Sequence, residues 1–250
     1  MKVDLNGKVA CVTGGARGIG AACCLALAQQ GAAVIINYHH SKEAAERLEE
    51  EIRKANGQAR SFQADISKPD QVDALFQFIK QEHKRLDILV NNAGIIRDKL
   101  LLSMKLEDWQ VVQETNVTGT FLCTQRAVEM MLRQHGGKVI TIASVSAITG
   151  GRGQTNYAAS KGAVVAFTRA SAVEMGRKGI IFNAVLPGII ETDMSKTVRE
   201  RAADPMLEQI PVRRFGQPSE VASLVAFLAS DESNYIVGQA IAIDGGLSIA

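Results

Sequence analysis

Short apolar runs alternate with longer amphipathic stretches along the whole chain, and each change of period marks a change of element. Lys8 to Thr13 reads as a strand, Ile19 to Gln30 as a helix and Ala33 to Asn37 as a second strand. Ser41 to Asn56 reads as a charged surface helix, with Ser41 placed to cap its start and Asn56-Gly57 to stop it. Gln58 to Ala64 is a third strand, Pro69 to Lys84 a helix opening on proline, and Asp87 to Asn91 a fourth strand. A long helix follows from Leu106 to Arg133. After it come an apolar strand from Val139 to Ala143, a helix from Thr155 to Val173, a strand from Ile180 to Leu186, a helix from Ser219 to Ala229 and a last strand from Ala240 to Ile243. Sustained strand and helix alternation predicts an α/β fold, a doubly wound parallel sheet with helices on both faces. The one long interruption, Pro187 to Pro218, reads as a loop with weak helical pieces, long enough to close over a substrate.

At 250 residues with 46% hydrophobic content the chain can bury one large core, so residues 1–250 are expected to form a single domain. A net charge of +2 with 22% charged residues gives neither the footprint of a nucleic-acid binder nor a signature of disorder. Cys11, Cys23, Cys24 and Cys123 show no metal-ligand spacing and no disulfide framework, and read as small core residues of a reducing compartment. His39-His40 has no carboxylate or cysteine spacing beside it that would make a metal site. No apolar run approaches the length of a membrane span, and Asp4, Asn6 and Gly7 come too soon after Met1 for a signal-peptide core. A cytoplasmic protein with no membrane partner is expected.

Chemistry enters between Ser144 and Lys161. On a helix through Thr155 to Val173, Tyr157 and Lys161 lie one turn apart on one face, so a phenol and an ammonium are neighbours. A phenol with its ordinary pKa of about 10 is a poor acid-base group at neutral pH, and a fixed cation beside it is expected to lower that value. A phenol tuned in this way can protonate a developing alkoxide. Ser144 follows an apolar strand, which places its hydroxyl at a strand's C-terminal end, where open α/β sheets bind ligands.

The first strand–helix turn reads Thr13-Gly14-Gly15-Ala16-Arg17-Gly18-Ile19-Gly20. Glycines at 14, 18 and 20 let the backbone turn tightly and approach a pyrophosphate at a helix N-terminus. Folds of this kind that prefer NAD commonly carry an acid about twenty residues beyond the glycines, bonded to the ribose 2′-hydroxyl. Here the second strand ends Asn37-Tyr38-His39-His40-Ser41-Lys42, without an acid. Arg17 is placed to meet a 2′-phosphate, with Asn37, Ser41 or Lys42 assisting, so NADP(H) is the expected cofactor.

Asn91-Asn92-Ala93-Gly94 ends the fourth strand, Asn116 lies inside the long helix, and Pro187-Gly188 follows the strand from Ile180. With the Gly14, Gly18, Gly20 turn, Ser144 and Tyr157-x-x-x-Lys161, these resemble the full signature of the short-chain dehydrogenase/reductase family, over essentially the whole chain. The resemblance implies a Rossmann-like fold in which Tyr157 is the acid, Lys161 lowers its pKa and holds the nicotinamide ribose, and Ser144 polarises the carbonyl. Asn116 would hold a water linking Lys161 to solvent protons; on its own residue chemistry it is a poor helix former that either has such a task or bonds backbone within the helix. Asp65 would meet the adenine, with Ile66 beside it, or merely cap the turn that follows. Asn92, Ala93 and Gly94 would meet the adjoining ribose, and Pro187, Gly188, Ile190 and Thr192 the nicotinamide side. Ala16, Arg17 and Ile19 complete the glycine turn. Ser146 competes with Ser144 as the donor, although family spacing favours Ser144. Phe182 stands where the family usually has a smaller β-branched residue, in a strand read as core.

Within the family, Asn91 to Asp98, Leu186 to Met194, Phe227 to Glu232 and Asp244 to Gly246 resemble the 3-oxoacyl-(acyl-carrier-protein) reductases of bacterial fatty-acid synthesis. That implies NADPH-dependent reduction of a 3-oxoacyl thioester to the 3-hydroxyacyl thioester, carried on acyl carrier protein or coenzyme A, by a homotetramer. Arg133, Lys138, Arg177 and Lys178 are a candidate patch for an acidic carrier. Acetoacetyl-CoA reductases are similar nearly as closely, and an NAD(P)-dependent dehydrogenase of another small ketone, alcohol or sugar stays open. A nucleotide-sensing binding protein on the same fold would not need Asn116, Ser144, Tyr157 and Lys161 together.

Overall fold

The computed structural model describes residues 3–250, with 197, 198 and 200–205 described by their backbone alone. Its parallel strands are β1 (Val9–Val12), β2 (Ala33–Tyr38), β3 (Gln58–Gln63), β4 (Ile88–Asn91), β5 (Gly137–Ile142), β6 (Ile180–Pro187) and β7 (Ala240–Ile243), in the order β3-β2-β1-β4-β5-β6-β7. The central strands β1 and β4 are buried throughout, whereas edge strand β3 leaves Gln58 and Arg60 exposed. Strand period sorts the core into two layers. Ala10 and Val12 join Val34, Ile36, Cys24 and Val225 on one face, while Val9 and Cys11 join Ile35, Leu75, Cys123 and Phe182 on the other.

The first layer is covered by α1 (Gly18–Gln29), α2 (Lys42–Lys54) and, last in the chain, α9 (Pro218–Ala229); the second is covered by α3 (Pro69–His83) and α5 (Gly119–Arg133). Between these lie α4 (Leu106–Gln113), α6 (Ser146–Thr149), α7 (Thr155–Met175) and α8 (Asp193–Gln209). The cysteines are free and buried, and burial pushes the Cys11 and Cys23 thiols up to about 12, in keeping with inert core residues. Phe182 is 1% exposed, so the second layer accommodates the larger ring. Among the described residues no helix is long and apolar enough to cross a membrane, and no His, Cys, Asp and Glu group could hold a metal ion.

Several local expectations change. Ser41 precedes α2, but its side chain makes no capping bond, whereas Asn56 does stop the helix, at φ 62°, with Gly57 N donating to Ile52 O at 2.9 Å. The helical path from Leu106 to Arg133 is interrupted by a π-helical turn over Glu114–Thr118. The interval from Pro187 to Pro218 is not a loop with weak helical pieces: it holds α8, 17 residues long. An interior proline, Pro205, removes a backbone donor and masks the helix in the sequence. A capping box between Thr192 and Ser195 starts it nonetheless.

Candidate active site

The order of strands reverses between β1 and β4, and the C-terminal ends of the strands there open on a cleft of about 1270 Å3. Its first wall is the β1–α1 turn. Gly14 has a φ of +60°, and a Cβ there would lie 2.9 Å from Ala93 Cα; a Cβ on Gly20 would collide with the Gly14 carbonyl oxygen. Both positions require glycine. The turn is tied to the end of β4 from both sides. Thr13 Oγ1 accepts from the amides of Asn92 at 3.0 Å and Ala93 at 3.1 Å, and Asn92 Nδ2 donates to the carbonyls of Thr13 and Gly14, each at 3.0 Å. Helix α1 then starts with no acid in its first turn and no side-chain cap from Arg17, so its leading N–H groups face the cleft unopposed. This cradle fits the pyrophosphate of a dinucleotide. Ala16, Arg17, Gly18 and Ile19 line the cleft, with Ala93 and Gly94 opposite.

At the end of β2, Asn37 is not available to a 2′-phosphate. It is 1% exposed, Nδ2 donates to Ala64 O at 3.0 Å, and Oδ1 accepts from Gly14 N at 3.3 Å. The side chain fastens β2 to the glycine turn and to β3, a task that the sequence pattern does not distinguish from ligand binding. Arg17 does face the cleft, but its guanidinium lies 3.9 Å from Asp193, the first residue of α8. Asp65, after β3, does cap its turn: Oδ1 accepts from Ser67 N at 2.9 Å and Ser67 Oγ at 2.8 Å. Burial works to raise its pKa, yet the Ser67 bonds and nearby His39 hold it below the ordinary value. Ile66 is buried against Gly119 and also lines the cleft.

A third wall holds Ser144, Tyr157 and Lys161, where proton chemistry is expected. Ser144 leaves β5 into the cleft and is held by Ser146, whose Oγ donates to Ser144 Oγ at 2.8 Å and whose N donates at 3.2 Å. Both serines line the cleft, joined by this bond. Lys161 Nζ lies 5.6 Å from the Tyr157 ring centroid while donating to Ile142 O at 2.8 Å. The expected lowering of the phenol by Lys161 is not found. Burial pushes Tyr157 up to about 12, with Ser144 pulling it down and Asp98 pushing it further up. Burial likewise pulls Lys161 down to about 8, because neither charge is well solvated here.

Asn116 sits within the π turn, 2% exposed. Its Oδ1 accepts from Ile95 N at 2.8 Å, and Nδ2 donates to Ile95 O at 3.1 Å and to Ser160 Oγ at 3.0 Å. A π turn is often kept where a side chain must be aimed. Gly94 lies where these groups converge: a Cβ there would meet Asn116 Oδ1 at 3.3 Å and Lys161 Nζ at 3.5 Å. Opposite, Pro187, Gly188, Ile190 and Thr192 line the cleft after β6, and a Cβ on Gly18 would come within 3.1 Å of Thr192 Cγ2.

Sequence reasoning missed Thr13, Asn156 and Ser160. Asn156 is fully buried; its Nδ2 donates to Arg97 O at 3.0 Å and Asp108 O at 3.1 Å, and its Oδ1 accepts from Tyr157 N at 2.8 Å. It fixes the first turn of α7 against α4, and an amide immediately before Tyr157 was the available signal. The cationic patch is corrected as well. Lys138 is buried, bonded to Asn234 Oδ1 at 2.6 Å and Ser233 Oγ at 3.2 Å, and Arg133, Arg177 and Lys178 lie near the N-terminal ends of β5 and β6, away from the cleft.

A family model described as enoyl-(acyl carrier protein) reductase matches residues 14–248. A 3-oxoacyl-(acyl-carrier-protein) reductase of Synechocystis sp. is 47% identical over 244 residues, 97% of this chain and 98% of that one. One from Thermotoga maritima is 45% identical, covering 98% and 99% respectively. Among solved structures, a short-chain type dehydrogenase/reductase from Mycobacterium marinum superposes with a TM-score of 0.95 at 39% identity, over 100% of this chain and 98% of that one. A gluconate 5-dehydrogenase from Burkholderia cenocepacia, in complex with NADP and tartrate, gives a TM-score of 0.95 at 34% identity with the same coverage. With the family model matched over residues 14–248 and these likenesses spanning nearly the whole chain, the chain belongs to the short-chain dehydrogenase/reductase family.

Proposed function

We propose that the protein reduces a 3-oxoacyl thioester to the 3-hydroxyacyl thioester with NADPH, as a step of fatty-acid synthesis in the cytoplasm. The observation that carries this reading is the cluster of half-buried Ser144 and Tyr157 with buried Lys161 in the lining of a dinucleotide-shaped cleft, with buried Asn116 behind Gly94. Relatives named for that reaction, 45–47% identical over nearly the whole chain, support the substrate class. When bound, the reduced nicotinamide supplies the hydride for the carbonyl carbon. The chain's own residues supply the proton and the placement. Ser144, steadied by Ser146, and Tyr157 both line the cleft and would offer their hydroxyls to the oxygen as it gains charge. A phenol kept protonated well above neutral pH is in the right state to give its proton to an alkoxide. Lys161 and Asn116 stand behind it to hold the ribose and return a proton. The glycine turn, Ile66, and Asn92 to Gly94 hold the adenosine and pyrophosphate half, and Pro187, Gly188, Ile190 and Thr192 the nicotinamide half.

Residues 1–250 work as one domain in this reading, with α8 rather than a loop over the substrate. Arg97 and Arg152 line the cleft mouth and give it a cationic rim suited to a phosphate-bearing acyl carrier or coenzyme A. Assembly as a homotetramer is supported by the exposed apolar residues Leu101, Leu102, Leu106, Trp109 and Phe121 on and beside α4 and α5. NADPH oxidation should be rapid with acetoacetyl-CoA, faster with an acyl-carrier-linked 3-oxo ester, and weak with NADH. Tight NADPH binding without turnover of either thioester would overturn the substrate. A second reading, oxidation of a sugar acid, draws on the gluconate 5-dehydrogenase likeness and would show as NADP reduction with gluconate.

A further inference from the structure

The adenosine end of the cleft carries a feature that neither the glycine turn nor the proton chemistry uses. Beyond β2, His39 and His40 stand side by side, both exposed and both lining the cleft, with ring centroids 3.5 Å apart and planes tilted by 30°. Their backbone is fixed: Tyr38 pairs with Gln63 in the β2–β3 ladder, and Gln63 Nε2 donates to His39 O at 2.9 Å. Of the other polar groups at this corner, Ser41 and Lys68 also line the cleft, and three more have partners. Asn37 is buried and bonded to Ala64 and Gly14, Arg17 faces Asp193 at 3.9 Å, and Lys42 faces Glu46 at 3.8 Å. No carboxylate ends β2 to receive an unphosphorylated ribose.

We propose that His39 and His40 together bind the phosphate on the adenosine ribose of NADP(H), and that their protonation makes the preference for NADP(H) over NAD(H) depend on pH. The inference rests on the NADP(H) reading above. Two imidazolium rings this close repel one another when nothing lies between them, and a phosphate dianion relieves that repulsion and draws protons onto both. Binding of the phosphorylated cofactor is therefore coupled to proton uptake in the range where imidazoles titrate, and binding of NADH is not. The remaining ionisable groups around the pair are Arg17 with Asp193, Asp65 and Lys68 from the β3–α3 turn, and Lys42, Glu43 and Glu46 of α2. Asp65 is the close one, its Oδ2 lying 3.9 Å from His39 Nε2. Its carboxyl is held below the ordinary value, so it stays ionised above pH 5 and adds a constant field rather than a pH dependence.

Dissociation constants for NADPH and NADH, read from the fluorescence of the reduced nicotinamide between pH 6.5 and 8.5, test this directly. In the native protein the NADPH-over-NADH affinity ratio should fall about tenfold across that range, the size expected for a charge-assisted contact. The double substitution His39→Gln and His40→Gln should leave a low, flat ratio with NADH affinity unchanged. His40→Lys should restore NADPH preference at pH 8.5, because an ammonium keeps its charge there. A double variant with the native ratio at every pH overturns the inference while leaving the NADP(H) reading standing. A native protein that binds both dinucleotides equally, or neither, overturns that reading and the inference together.

Discussion

Lys161 Nζ donates to the Ile142 carbonyl at 2.8 Å, so the cation beside Tyr157 is anchored to the strand that delivers Ser144 and not to the phenol itself. That anchorage is bought against burial, which pulls Lys161 from its ordinary 10.5 to about 8; Lys138 is pulled down equally. The sign follows from proton binding. Below pH 8 folded and unfolded chains both carry the proton, and the fold bears the full cost of burying it; as pH rises from 8 towards 10.5 the folded state sheds it first and the cost is relieved. In urea midpoints of the dinucleotide-free protein this gain between pH 8 and 10 runs against a loss from the buried thiols, which are pushed up to about 12 and stay protonated in the folded state while unfolded thiols ionise. Lys161→Met should be more stable than the native chain at pH 7, and that advantage should shrink as pH rises to 10; an advantage that stays constant with pH would refute the assignment.

Tyr157→Phe removes the proton donor and leaves the dinucleotide cradle intact. Ketone reduction should drop at least a hundredfold to a thousandfold, the usual cost of one such donor, while NADPH affinity stays within a few-fold. With the phenol titrating near 12, reduction by the native protein should show no loss from Tyr157 ionisation up to pH 9. Near-native turnover in the variant would remove Tyr157 from the chemistry.

Ser146→Ala takes away the hydroxyl that donates to Ser144 Oγ at 2.8 Å. Ser144 keeps its own donor but loses its orientation, so turnover should fall by about tenfold with the Michaelis constant little changed. A loss as deep as that of Ser144→Ala would instead make Ser146 the polarising group.

Asn37→Asp looks, from sequence, like a change towards NAD. In the structure it replaces a donor by an acceptor facing Ala64 O, and two buried acceptors then oppose one another. A stability loss of about 1–3 kcal/mol is expected, with both dinucleotides bound more weakly. A stable variant with improved NADH affinity would restore Asn37 as a cofactor contact.

Strand positions were legible because parallel strands buried on both faces leave short unbroken apolar runs, as in Ile88–Asn91. The glycines, Ser144, Tyr157 and Lys161 were legible because their chemistry is tied to a spacing. Commitments made at a distance were not. Asn37 and Asp65 carry the same polar signature whether they meet a ligand or a backbone, and only their partners, Ala64 and Ser67, separate the two uses. Tyr157 and Lys161 are adjacent as expected, but the balance between attraction and desolvation depends on burial that a spacing does not encode. Helix α8 was hidden by Pro205 and started by a cap on Thr192.

The reversal of strand order at β1 and β4 joins Thr13 to Asn92 and Ala93 across nearly eighty positions of chain. The segment through β3 therefore makes only half of a nucleotide cradle, and the other half arrives with β4 and the elements after it. Nucleotide capture cannot precede this late, long-range closure. During refolding, the return of nicotinamide fluorescence would time the moment when the two halves of the chain meet.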